Sequence, residues 1–345
     1  MILLYLFIFL LSIPRIRFLG ENVGGYLDKE RCDAVKGVFI WIVFVGHIQD
    51  YVRSSGYVYS GWLDYLGLVV SSKFAFLLVV PFLFFSGYGV GESIRIRGKK
   101  YLQTIPRNRL LTVWVNFCIA VAMFALATLV IGHRYSVARI LLSFIGWESV
   151  GNSNWYIFVI LCCYAITYVS FKLGNVIVAS VAVVLFALGL SFIKEPWWYS
   201  TMWAYPAGLR FAEYREKLLE PLFRKKYWQC LIGAVIALLV LRRCLVWEWH
   251  GVICNLYSIA FAWLIVMLMM KINLRSPFMI WCGRRLFPLY IYQRLPMILF
   301  AHYLGADFVQ HHVFMFEFFC FLSIVLIAFA YPWWQLRIRL RTVVQ

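Results

Sequence analysis

The sequence predicts an all-α integral membrane protein, a polytopic bundle of about ten to eleven transmembrane helices. Three observations predict it. Hydrophobic residues make up 63% of the chain and charged residues only 14%, far too little polarity to clothe a soluble domain. Apolar windows of bilayer-spanning length recur along the chain,. Lysine and arginine cluster in three segments between those windows, as cytoplasmic loops of membrane proteins do,.

The windows fall near residues 2–18, 35–52, 65–90, 109–132, 153–171, 174–193, 229–247, 251–271, 278–303 and 313–335. The first is read as retained, because Pro14-Arg15-Ile16-Arg17 stands where a secretory cleavage site would need small residues,. Residues 1–19 are then a further N-terminal span or an interfacial segment. The second window holds Gly46-His47, the third ends in Phe84-Phe85-Ser86-Gly87-Tyr88-Gly89, and the fourth opens behind Arg107 and Arg109. The fifth starts at Asn154-Trp155-Tyr156, and the last contains Glu317. Residues 197–211 are short and aromatic, which suits a tight span or a re-entrant segment,. No polar linker, low-complexity tract or internal repeat interrupts the chain, so residues 1–345 read as one membrane domain,.

Orientation follows from the cations. Arg95, Arg97, Lys99, Lys100, Arg107 and Arg109 crowd one segment; Arg210, Arg215, Lys217, Arg224, Lys225 and Lys226 a second; Arg337, Arg339 and Arg341 the tail. All three are assigned to the cytoplasm, in the inner (plasma) membrane, with the C-terminus inside. Counting 197–211 as a span satisfies that parity with the N-terminus outside. If 2–18 lies in the interface instead, both termini are inside.

The formal charge of +18 is this inside-positive bias and comes with no nucleic-acid motif, which excludes a nucleic-acid partner. Anionic lipid head groups and phosphorylated cytosolic molecules are its expected partners. Nine cysteines are scattered without metal-ligand spacing and read as small apolar fillers, so no metal is expected,.

Ionisable residues inside the windows are few: His47, Lys73, Arg294 and Glu317. Each is costly in lipid and needs a partner or a cavity. Arg31-Cys32-Asp33-Ala34-Val35-Lys36-Gly37 precedes an apolar run ending at Gly46-His47. On a helix, Lys36 and His47 lie within about 20° of one face, roughly 16 Å apart. A polar track thus enters the membrane, with an imidazole suited to general-base work at its depth; alone, His47 would as readily be a packing histidine. The small residues at Ser86, Gly87 and Gly89 permit close helix approach, and the cations that follow suit phosphates. Trp155 and Tyr156 at the outer end of a span suit either sugar stacking or an interfacial aromatic belt, with Asn154 and Glu148 in the same outer loop. Arg294 and Glu317 read as an interhelical pair, and His302, His311 and His312 as a solvated loop rather than a metal site.

Taken together these motifs resemble the acyltransferase family 3 membrane proteins, which O-acetylate surface polysaccharides and related sugars. The resemblance rests on Asp33-x-x-Lys36-Gly37 with His47 eleven residues beyond Lys36, Phe84-x-Ser86-Gly87-Tyr88, Arg107-x-Arg109 and Asn154-Trp155-Tyr156-Ile157. It ends in the stretch from Gly283 through Tyr290-Ile291-Tyr292-Gln293-Arg294-Leu295-Pro296. It covers about 250 residues, as an ordered series of individually weak motifs. Many members carry arginine at the position of Lys36 and histidine in the late helix where Gln293 and Arg294 stand, and the extra extracytoplasmic hydrolase-like domain of some members is not expected here.

The resemblance implies an acyl-coenzyme A-dependent O-acetyltransferase. Acetyl-CoA enters as donor, its phosphates on Lys36, Arg107 and Arg109 beside Ser86. His47 serves as base and Asp33 orients Lys36. Trp155, Tyr156, Asn154 and Glu148 face a glycan or lipid-linked saccharide acceptor. An acyl-histidine intermediate is the variant route. Homo-oligomerisation or partners from polysaccharide synthesis are further expectations. Two other classes stay open: a flippase or exporter of lipid-linked saccharides, which needs no acyl-CoA, and a catalytically silent scaffold indifferent to His47.

Overall fold

The structure is a computed structural model and describes residues 25–59, 75–245 and 250–335, together with Leu10, residues 16–18, Gly61 and residues 64–65. Lys73 and the arginines at 337, 339 and 341 lie outside the described residues. Seven described helices are long and apolar enough to cross a membrane: Lys29–Ser54, Phe76–Arg97, Lys99–Val130, Trp155–Leu173, Tyr227–Cys244, Gly251–Lys271 and Val313–Trp334. The protein is an all-α polytopic membrane protein.

In chain order the elements used below are β1 (Ile16–Phe18), α1 (Lys29–Ser54), α2 (Val80–Arg97), α3 (Thr112–Val130), α4 (Val137–Phe144), α5 (Trp155–Leu173), α6 (Val176–Leu190) and α7 (Ala204–Tyr214). They continue as α8 (Tyr227–Cys244), α9 (His250–Lys271), β2 (Ile272–Leu274), α10 (Pro277–Arg284), α11 (Leu286–Tyr292), α12 (Arg294–His311) and α13 (Val313–Trp334). A 3-10 turn, Ala75–Val79, leads into α2, and a π-helical turn, Pro106–Leu111, leads into α3.

Two crossings set the frame, and glycines make both. On α2 and α7, a methyl on Gly87 would overlap the Tyr205 carbonyl and one on Gly208 would overlap the Phe84 carbonyl. One turn on, a Cβ on Gly91 would meet the Ala212 methyl at 2.9 Å. Small residues four apart let two backbones touch, the usual device where lipid offers no hydrophobic drive. On α1 and α10, a methyl on Gly37 would overlap the Met279 carbonyl and one on Gly283 the Asp33 carbonyl. Beside that contact the Trp41 indole donates to Cys282 Sγ (3.2 Å) and stacks on Phe278 at 6.1 Å.

Large apolar side chains stay exposed on the outer helices, among them Val181 and Leu185 on α6, Leu239 and Val240 on α8, and Leu326 and Phe329 on α13. Such an exposed surface is costly in water and natural in a hydrocarbon medium.

Two stretches depart from the sequence expectation, and a third, 197–211, proves short as its sequence suggests. Residues 16–18, placed at the end of the first apolar window, form a strand pairing antiparallel with β2, Ile16 opposite Leu274 and Phe18 opposite Ile272. Residues 197–211 form a 3-10 turn (Pro196–Trp198) and the short α7, which at about 1.5 Å per residue reaches only roughly half the hydrocarbon thickness. The window 278–303 is not one helix: it divides at Arg285 and Gln293 into α10, α11 and α12. Pro277, Pro288 and Pro296 each fall in the first turn of one of these three helices, where a missing backbone donor costs no helical hydrogen bond and the ring disfavours helix in the residue before it.

Candidate functional site

Two cavities open along α1, at opposite ends of the same helix. Lys36 lines the first, Val43 and His47 line the second, and Ile40 is buried between them.

The first, called the inner cavity, has a volume of about 950 Å³. It gathers the ends of helices whose flanking segments carry the clustered cations: Lys36 from α1, Ser86, Tyr88, Glu92 and Arg97 from α2, Arg109 from the π-turn, Arg215 beyond α7 and Arg284 of α10. Asp33 is buried and holds Lys36 one turn away, with Nζ 2.6 Å from Oδ1. Its other oxygen faces the Arg284 Nε at 3.7 Å, and Arg284 Nη2 in turn reaches Glu30 at 2.7 Å. Desolvation makes such a carboxylate costly unless cations compensate it. The 33–36 spacing places both on one helix face.

Arg215 is held on several sides. It donates to the Tyr88 hydroxyl, pairs with Glu216 at 2.9 Å and lies 3.7 Å from Glu92. Arg95 joins the same carboxylates, 2.8 Å from Glu92 and 2.9 Å from Glu216. Hydrogen bonds from Arg215 and Arg95 hold the Glu216 carboxyl below its ordinary value. Arg109 lies over the Tyr164 ring at 5.7 Å.

The outer cavity, about 500 Å³, is lined by Gly46, His47, Gln49, Asp50 and Arg53 of α1, by Phe76 and Val79 before α2, by Trp155, and by Pro196, Trp197 and Ser200. Cys254 and Tyr290 complete it. His47 Nδ1 and the Tyr290 hydroxyl are both buried without a hydrogen-bond partner. The outer wall is braced by Lys194, which donates to the Trp147 carbonyl (3.1 Å) and lies 3.9 Å and 4.4 Å over the rings of Trp147 and Trp198. Asn255 ties α9 to the same wall: its Oδ1 accepts from the Trp203 N–H and its amide donates to the Tyr199 carbonyl, both at 2.9 Å.

A septum of aromatic rings lies between the two spaces. Tyr156 is buried, bonds Ser86 of the inner cavity, and packs 5.0 Å from the Tyr290 ring of the outer one. Phe82 closes the other side at 6.1 Å.

The sequence-identified residues divide accordingly. Asp33, Lys36, Ser86 and Arg109 meet at the inner cavity; His47 and Trp155 meet at the outer; Tyr156 stands between. Arg107 is not among the residues lining the inner cavity, because positions two apart on a helix do not share a face,. The Asn154 amide is spent on the Gly146 carbonyl (2.8 Å), fixing the loop before α5, and Glu148 lies in that loop away from the outer-cavity lining. Arg294, expected opposite Glu317, instead has its guanidinium 5.9 Å from the centre of the Tyr51 ring. His311 pairs with Asp307 at 3.2 Å on the exposed end of α12.

Sequence reasoning missed Arg215 and Tyr290. Arg215 reads in sequence only as one more loop cation. Tyr290 sits in a run of apolar residues and comes to line the cavity of His47 because α11 packs against α1. No protein-family model, curated protein or solved structure matches this chain.

Proposed function

We propose that the chain is an acyl-CoA-dependent membrane O-acyltransferase of the acyltransferase family 3 kind, moving an acetyl group from cytoplasmic acetyl-CoA to a hydroxyl of a surface polysaccharide or lipid-linked glycan. One observation carries the reading: a single helix, α1, opens on a cation-rich cavity at Lys36 and on a second cavity at His47. In this reading the inner cavity faces the cytoplasm of the plasma membrane, the crossings number ten or eleven, and the C-terminus is inside.

The residues suit the parts of the donor. Lys36, Arg109 and Arg215 offer cations to the diphosphate and ribose phosphate, two of them as forked guanidiniums able to grip two oxygens at once. Asp33 and Glu92 keep Lys36 and Arg215 in place while leaving net positive charge for the ligand. The arm of the donor extends past Ser86 toward His47, a helical rise of about 16 Å. His47 takes the proton of the acceptor hydroxyl as that oxygen attacks the thioester carbonyl, a contribution typically of about 10² to 10⁴ in rate. The C–S bond breaks and the coenzyme A thiolate recovers the proton from the imidazolium. Trp155 and Trp197 flank the outer cavity with rings on which a sugar face stacks,.

The test uses purified protein in nanodiscs with radiolabelled acetyl-CoA, scoring saturable binding and label transfer to a glycan extract in wild type, His47→Ala and Lys36→Ala. Transfer abolished in His47→Ala with binding retained, and weakened binding in Lys36→Ala, is the expected pattern. Absence of saturable acetyl-CoA binding in wild type overturns the reading in favour of saccharide transport.

A further inference from the structure

The Tyr290 hydroxyl is buried, has no hydrogen-bond partner, and belongs to the same cavity wall as His47, whose Nδ1 is likewise without one. A buried hydroxyl left unsatisfied works against folding, so its presence calls for an explanation outside stability. Its placement supplies one. The Tyr290 ring packs on Tyr156, and Tyr156 bonds Ser86 of the inner cavity, so Tyr290 stands on the outer side of the aromatic septum, in the cavity that His47 lines. Gln293 Nε2 donates to the Tyr290 carbonyl at 2.9 Å and fixes the turn between α11 and α12. That turn brings Arg294, one helical turn after Tyr290, within electrostatic reach of both Tyr290 and His47.

We infer that Tyr290 is a catalytic residue whose phenolic O–H donates to the thioester carbonyl oxygen as negative charge develops there, opposite the His47 base. The assignment rests on the acyltransferase reading. The bookkeeping of the step is closed. The acceptor oxygen bonds to the carbonyl carbon and its proton passes to His47. The carbonyl oxygen gains charge against the Tyr290 O–H, which keeps its hydrogen throughout. The carbonyl then re-forms as the C–S bond breaks, and the thiolate leaves with the proton from His47. Arg294 is a positioning and field-setting residue here, favouring negative charge near the phenol without touching the acyl group. Preorganised donors of this kind act where water is excluded, and their loss typically lowers kcat by about 10² to 10³.

Tyr290→Phe in the full-length protein in nanodiscs tests the assignment, assayed with radiolabelled acetyl-CoA and a glycan extract as acceptor, alongside wild type and Tyr303→Phe. The expected result is a fall in kcat of about 10² to 10³, an acetyl-CoA Kd within twofold of wild type, and a thermal midpoint equal to or above wild type, because the deleted hydroxyl bonds nothing in the fold. Tyr303→Phe, an exposed tyrosine of α12 that lines neither cavity, should keep the wild-type kcat. A Tyr290→Phe kcat within threefold of wild type overturns the assignment. So does a loss of kcat accompanied by a lowered thermal midpoint, the signature of a structural role. If wild type neither binds nor transfers acetyl, the acyltransferase reading itself falls and takes the assignment with it.

Discussion

Gly87 and Gly208 face each other across the α2–α7 crossing, each so near the opposing backbone that one methyl on either would overlap a carbonyl oxygen. The crossing positions the inner cavity, since Ser86, Tyr88 and Glu92 leave α2 beside it and Arg215 follows directly after α7. Gly208→Ala should therefore force the helices apart and cost about 1–3 kcal/mol, the usual penalty of overpacking. Gly233→Ala on α8, where an added Cβ meets nothing within 4 Å, should leave the thermal midpoint unchanged or raise it, since alanine is the better helix former. Equal midpoints for the two variants in detergent would contradict the crossing.

Asp33 and Lys36 form a second testable pair. Lys36→Ala leaves a carboxylate that is 3% exposed with only the more distant Arg284, and the loss should approach the lower end of the about 3–5 kcal/mol seen when one partner of a buried ion pair is removed. Asp33→Asn with Lys36→Met removes both charges and should recover most of that stability without restoring acetyl-CoA binding. Differential scanning fluorimetry of both variants separates the structural role of the pair from its role toward ligand.

Acid should loosen the Arg95–Glu92–Arg215–Glu216 cluster. Glu216 is held below its ordinary value by Arg215 and Arg95, so its contribution is fully present above the unfolded carboxylate value of about 4.3 and is lost as pH falls through the lower folded value. The pair is exposed, so the effect should shrink as salt is raised. Thermal midpoints measured from about pH 6 down to about pH 3, in wild type and Glu216→Gln, check this. The variant should lose part of the acid dependence.

Asn255 anchors the outer wall through both ends of its amide. Asn255→Ala strands the Trp203 N–H and should cost about 1–3 kcal/mol. It should also widen the outer cavity, because the 196–203 segment that carries Trp197 and Ser200 loses its tie to α9. Cysteine labelling at position 200, engineered as Ser200→Cys, reports the opening. Unchanged labelling rates would rule out the anchor.

Much of this was legible from residues alone, and the reason is local. Membrane class and the run of apolar helices follow from composition and window length. The Lys36 to His47 face follows from helical periodicity, and close helix approach at Phe84 to Gly89 follows from small residue size. What was not legible depends on contacts between distant segments. Arg107 and Arg109 look equivalent in sequence, yet only Arg109 lines the inner cavity, and the π-turn that carries both has no clear sequence mark. The stretch 278–303 reads as one apolar window, whereas breaks at Arg285 and Gln293 turn α11 so that Tyr290 reaches the cavity of His47. Asn154 reads as a ligand for an acceptor, and only the fold shows that its amide also donates to the Gly146 carbonyl, because a bond across the loop leaves no mark in the sequence.

The pairing of β1 with β2 carries a consequence for how the protein is made. Ile16 bonds opposite Leu274, so a strand emerging early from the ribosome finds its partner only after most of the chain has been inserted. Gly37 waits similarly for Met279, and Asp33 for Gly283. Contacts between such distant segments form late and slowly, and until then α1 sits in the bilayer with Asp33 and His47 exposed to whatever the insertion machinery or a chaperone provides. The late helices α10 and α11 thus act as the closing step of assembly, and damage to them should yield inserted but unfinished protein that quality-control proteases remove.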